Sequence, residues 1–87
     1  MLNRYRSEIN DLVLGLIKRE IRFTVEPLHN GYKVDWGTGD AVCHHGSYGG
    51  SDGLLEVMGD LNQNPCDSVE GWLTADEVLN RFDKKGV

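Results

Sequence analysis

Eighty-seven residues with 39% hydrophobic and 26% charged side chains make one domain, expected over 1–87, whose single small core leaves little room for an enclosed cofactor. No apolar run reaches the roughly 20 residues of a membrane helix, and two cysteines are too few for a secreted disulfide framework, so free thiols and a cytoplasmic location are expected. The net charge of −5 is gathered late in the chain: between residues 51 and 83, eight acids (Asp52, Glu56, Asp60, Asp67, Glu70, Asp76, Glu77, Asp83) face Arg81 alone, a balance of −7 that repels nucleic acid and anionic membranes and attracts basic protein surfaces.

From Arg4 to Arg19, the residues Tyr5, Ile9, Leu12, Val13, Leu16 and Ile17 recur at spacings of three and four, which predicts a helix with one apolar face. Ile21, Phe23 and Val25 then alternate with Arg22, Thr24 and Glu26, and Tyr32, Val34 and Trp36 alternate with Lys33 and Asp35. With the Asn30-Gly31 step between them, this pattern predicts a β-hairpin. A turn at Gly37-Thr38-Gly39-Asp40 leads to a third strand over 41–45, completing a three-stranded antiparallel meander with one face on the helix. After a glycine-rich loop, Leu54, Leu55, Met58 and Leu61 suggest a second helix capped by Ser51 or Asp52. Residues 62–71 read as a polar connection. Thr74 and Glu77 have the spacing of a capping box, with Leu73 and Val78 at the positions of a hydrophobic staple, so a third helix is expected over 74–83. The expected architecture is α+β in the order αβββαα.

The stretch Cys43-His44-His45-Gly46-Ser47-Tyr48-Gly49-Gly50-Ser51-Asp52-Gly53 holds the residue types of several chemistries. Adjacent strand residues point to opposite faces, so Cys43 and His45 can converge on a metal while His44 cannot. A structural zinc site needs a second ligand pair, and Cys66 and His29 stand alone. A Cys-His nucleophile needs an orienting acid in a cleft, for which Asp52 is the one candidate, and nothing fixes that geometry. A phosphate cradle would need a Lys-Ser/Thr pair closing the glycines, yet the loop has no lysine and sets Asp52 at the expected helix start. Double-stranded RNA-binding domains share the αβββα order, but they place lysines where this chain has Ser51-Asp52-Gly53-Leu54-Leu55-Glu56. No catalytic residue, metal or cofactor is therefore assigned.

The remaining signal is acidic. Asp52, Glu56 and Asp60 recur at i, i+4 and i+8 of the expected second helix, with Asp67 and Glu70 following. Like charges at that spacing weaken a helix by about 0.2–0.5 kcal/mol per pair. The bland reading is a solvated face, and the sharper one is a row of carboxylates that engages a partner's arginines and lysines.

The run from Val42 to Gly59, with Val69-Glu70-Gly71-Trp72-Leu73-Thr74-Ala75-Asp76-Glu77-Val78, resembles small proteins encoded by phages and prophages of Gram-positive bacteria. That resemblance implies a viral origin and no particular activity. In size, charge and element order, with Ile9-Asn10-Asp11-Leu12 in its first helix, the chain is also similar to prophage-encoded anti-CRISPR proteins that inhibit the type II RNA-guided nuclease. Their acidic surface occupies the cleft in which the nuclease reads its protospacer-adjacent motif, a channel lined by arginines. The resemblance implies a non-enzymatic inhibitor, a monomer or small homo-oligomer in the host cell. Its partner would be a basic nucleic-acid-handling protein, not nucleic acid or membrane. Asp35, Asp40, Asp52, Glu56, Asp60, Asp67 and Glu70 are the expected contact residues. The alternative is a phage accessory or structural module whose partner uses exposed apolar groups, Trp72 first among them, and a small Cys-His or zinc-binding protein is the third reading.

Overall fold

The computed structural model describes residues 4–86, so residues 1–3 and 87 of the expected domain lie outside the described residues. Helix α1, Ser7–Lys18, forms where the apolar spacing places it and buries Ile9, Leu12, Gly15 and Leu16. Helix α2, Ala75–Lys85, begins with the expected capping box: the Glu77 N–H donates to Thr74 Oγ1, and the Thr74 N–H donates to Glu77 Oε1 at 3.0 Å. Two otherwise unpaired amides are satisfied there. Leu73 and Val78, at the staple positions, are both buried. Gly15 lets the two helices approach closely, since a Cβ at that position would collide with the Leu79 side chain.

Between the helices the chain forms five strands rather than three: β1 (Thr24–Leu28), β2 (Gly31–Asp35), β3 (Gly39–Cys43), β4 (Leu55–Gly59) and β5 (Val69–Leu73). They pair in chain order as an antiparallel meander, β1-β2-β3-β4-β5. The strand expected around Ile21–Val25 begins later and takes in Pro27, which an edge strand tolerates because one side of its backbone is unpaired. Ile21 and Phe23 precede that strand and help line, with Trp36, an open apolar groove of about 580 Å³. The third strand ends at Cys43, so His44 and His45 fall outside it.

The expected second helix is strand β4. Leu54, Leu55, Met58 and Leu61 fit a helical spacing, but Leu55 and Val57 also alternate, and a short apolar run carries both periods. Gly53 and Gly59 bracket this segment at φ 75° and 99°, leaving five residues, enough for a strand but not for a stable helix. Pairing with β3, from Gly39 opposite Gly59 to Val42 opposite Glu56, decides the matter. Strand β5 begins in the segment expected as a polar connection, 62–71, and runs on to the staple residue Leu73. Its bulge, two residues opposite one, hid the alternation. The order is therefore α, five strands and α, an α+β fold with a single C-terminal helix.

Val34, Ala41, Cys43, Leu55, Val57 and Leu73 point to one side of the sheet and form the core with Ile9, Leu12 and Leu16 of α1 and Val78, Leu79 and Phe82 of α2. Burying a leucine such as Leu12 or Leu16 contributes about 2 kcal/mol relative to leaving it exposed. Both helices cover this face, so the other face of the sheet carries no helix. No described helix is long and apolar enough to cross a membrane.

Candidate docking face

Register fixes what the helix-free face presents. One row across the strands runs Glu26, Lys33, Val42, Glu56, and the next runs Thr24, Asp35, Asp40, Met58, Val69. Strands lie about 4.8 Å apart, so the five together span roughly 19 Å. Four carboxylates thus surround one ammonium. Lys33 Nζ is 3.9 Å from both Glu26 Oε1 and Asp35 Oδ2, and exposed pairs of that kind contribute about 0–1 kcal/mol. Asp40 faces Asp35 directly across β2 and β3. Burial, opposed by Lys33 and reinforced by Asp35 and Glu56, holds the Asp40 carboxyl above its ordinary range. Negative charge on this face is crowded and under-compensated.

The glycine-rich loop folds onto the same face. Ser47 Oγ accepts from the His44 N–H and donates to the His44 carbonyl, closing a tight turn. A 3₁₀ turn, Gly50–Asp52, then returns the chain to β4. The Tyr48 N–H donates to Glu56 Oε1 at 2.7 Å, and the Trp72 N–H donates to the Tyr48 carbonyl at 3.3 Å. Only glycine fits at Gly49, where φ is 90° and a Cβ would sit 2.8 Å from the Trp72 nitrogen. The loop therefore lies against the β5 bulge and lays the Tyr48 ring parallel to the Trp72 indole, with centroids 5.8 Å apart and planes 6° from coincident. Tyr48 and Trp72 remain 49% and 58% exposed, and Met58 on the same face is also exposed. Trp72 has φ 59°, a left-handed conformation rare for a bulky residue.

Of the seven acids expected to act together, the structure gathers Asp35, Asp40 and Glu56 on this face. Asp52 is exposed in the 3₁₀ turn, so it caps no helix and forms no helical stripe with Glu56 and Asp60. Asp60 is a structural hub that accepts from Trp36 Nε1 at 2.9 Å, Thr38 Oγ1 at 2.7 Å and Lys85 Nζ at 3.0 Å. Burial pushes its carboxyl up, but these three bonds together outweigh burial and hold it below the usual range. Glu70 forms a two-pronged pair with Arg81 at 2.8 and 2.9 Å, which holds its carboxyl low against burial. Asp67 accepts from the Ser68 N–H, and its carbonyl accepts from Asn62 Nδ2. Asp60 and Glu70 hold the fold together and are not free contact groups. Glu26, Tyr48 and Met58 join the face without having been expected there. The alternation Glu26, Lys33, Asp35 marked the outer side of two strands, while Tyr48 carried no local signal.

Cys43 is fully buried on the opposite, core side, where burial pushes its thiol up to about 11, so it cannot converge with His45 as strand alternation suggested. The His45 N–H donates to Asn30 Oδ1, while the His44 ring meets His29 edge-on at 4.9 Å. Among the described residues, no group of three or more His, Cys, Asp or Glu side chains is placed to hold a metal ion. The glycine loop leads into a strand, not a helix, so no helix N-terminus stands ready for a phosphate. Compared with protein-family models, curated proteins and solved structures, the chain matches none.

Proposed function

We propose that this chain is a non-enzymatic, phage-encoded binding protein whose helix-free sheet face docks on a basic surface of a nucleic-acid-handling partner, its carboxylates standing where phosphates would. The observation that supports this reading is the two-row array of Glu26, Asp35, Asp40 and Glu56 around Lys33 on the helix-free face. Carboxylates offer arginine the same planar, two-oxygen recognition as a phosphate. The type II RNA-guided nuclease is the partner to test first, because arginines in a positive channel read its adjacent motif. The five-stranded sheet departs from the element order of the anti-CRISPR proteins that the sequence resembles. Surface charge, not shared topology, supports that partner.

The test is binding to the guide-loaded nuclease with and without duplex DNA carrying the motif. Binding should fall at least tenfold between about 0.15 and 0.5 M salt, be displaced by the duplex, and be lost in the Asp35→Lys, Glu56→Lys double variant. Asp60 and Glu70 are left intact because they hold the fold. Undiminished binding by the double variant would overturn the reading.

The exposed Tyr48–Trp72 stack favours a second reading, a phage accessory or structural module that assembles through aromatic contact. Association insensitive to salt would support it instead.

A further inference from the structure

Trp72 is the least economically placed residue on the docking face. Its ring does not serve the core, since more than half of it is exposed, and its backbone sits in a left-handed conformation at φ 59°. Strain at an exposed position that packing does not require points to a task for the side chain. The ring is backed on one side by Tyr48 in a parallel stack, so its position is fixed. Leu55 opposite Leu73 and Val57 opposite Glu70 leave Glu56 facing the bulge of Gly71 and Trp72. Glu56 Oε1 is held by the Tyr48 N–H, whereas among the described residues Oε2 receives no hydrogen bond.

We propose that the Tyr48–Trp72 stack, with Glu56 beside it, seats an arginine side chain of the partner, its guanidinium plane lying on the open part of the aromatic pair and its N–H groups turned toward Glu56 Oε2. The inference rests on the docking face proposed above and names the group that anchors it. Charge complementarity selects the occupant: a phosphate or an acidic peptide is repelled by Glu26, Asp35, Asp40 and Glu56, and a neutral ring would leave those charges uncompensated. Planarity then separates the two cations. Guanidinium stacks flat on an aromatic face and is weakly hydrated, while an ammonium is a compact, strongly hydrated point charge.

Octa-arginine and octa-lysine carry equal charge and differ in this one respect. Each is titrated into the full chain at the same ionic strength, with affinity read by calorimetry and the site of contact by the two indole N–H resonances in NMR. The Trp36 indole, bonded to Asp60, serves as the internal control. Octa-arginine should bind about tenfold more tightly than octa-lysine and move the Trp72 resonance. Trp72→Ala or Tyr48→Ala should erase that preference and leave octa-lysine affinity unchanged. Equal affinity for the two peptides, or a preference that survives both substitutions, would overturn the arginine seat while leaving the acidic face standing. Failure of both peptides to bind would overturn the face, and the seat with it.

Discussion

The two tryptophans show how the same side chain serves opposite ends. Trp36 donates its indole N–H to Asp60 and meets Phe82 edge-on at 5.0 Å, so its polar handle and its apolar body are both used by the fold. Trp72 is exposed, strained and, among the described residues, stacked on Tyr48 alone. Trp72→Gly removes a left-handed non-glycine residue, worth roughly 1–2 kcal/mol, and loses an aromatic pair worth about 0.5–1.5 kcal/mol. The two terms nearly cancel, so chemical denaturation should place the variant within about 1 kcal/mol of the parent chain. A loss well beyond 2 kcal/mol would show that the ring supports the fold, and the case for a role in binding would fail. Gly49 behaves differently, because any side chain there collides with the Trp72 backbone.

At the level of elements, β5 is an edge strand that pairs with β4 and is tied to α2 by a charged latch. Arg81 of α2 grips Glu70 with two nitrogens and also donates to the Leu61 carbonyl at 2.9 Å, tying strand, helix and preceding loop together. Glu70 Oε1 accepts from the Gln63 N–H as well. Glu70→Gln keeps the shape but replaces charge-assisted bonds, a loss of about 1.5–3 kcal/mol, and the melting temperature of a domain this small should fall by roughly 10 °C. An unchanged melting temperature would mean that the latch is ornamental. A latch between residues 11 apart on different elements leaves no local pattern in the sequence. Helices α1 and α2 and the first hairpin are specified by neighbours in the chain, through apolar spacing, a capping box and alternation, and they were legible. Strands β4 and β5 are specified by partners far along the chain, and a bulge breaks the pattern of β5. A helical period over β4 groups its acids differently from the strand. Asp52, Glu56 and Asp60 formed a helical stripe on paper, whereas Glu56 belongs with Asp35 and Asp40, and Asp60 and Glu70 belong to the frame. That grouping depends on strand register, which local spacing does not encode.

Across the whole molecule, net charge and titration couple the fold to pH in two steps. His44 Nδ1 accepts from the Gly46 N–H at 3.0 Å, which requires an unprotonated nitrogen. Burial first, then the nearby His29 and the weaker influence of His45, hold its pKa below the ordinary value, with Glu56 pulling the other way. A histidine whose folded pKa is lowered lends stability that is complete above the unfolded value near 6.5 and is lost as pH falls from there toward the folded value. Asp60 and Glu70 form the second step. Their carboxyls are held low in the fold, so their contribution is present above about pH 4 and is lost as pH falls through their folded values. Asp40 runs the opposite way: its raised carboxyl makes ionisation unfavourable, and the fold regains a little stability as Asp40 takes up its proton. Melting temperature against pH should therefore be flat between about pH 7 and 8, decline gently below about 6.5 and drop steeply below about 4, while at the alkaline end the buried Cys43 thiol, held up to about 11, withdraws stability as its unfolded counterpart ionises. His44→Gln should remove the gentle decline and leave the steep limb in place, because Asp60 and Glu70 are untouched by the change. A gentle decline that persists in this variant would assign the upper titration to another group and detach the glycine loop from the pH response.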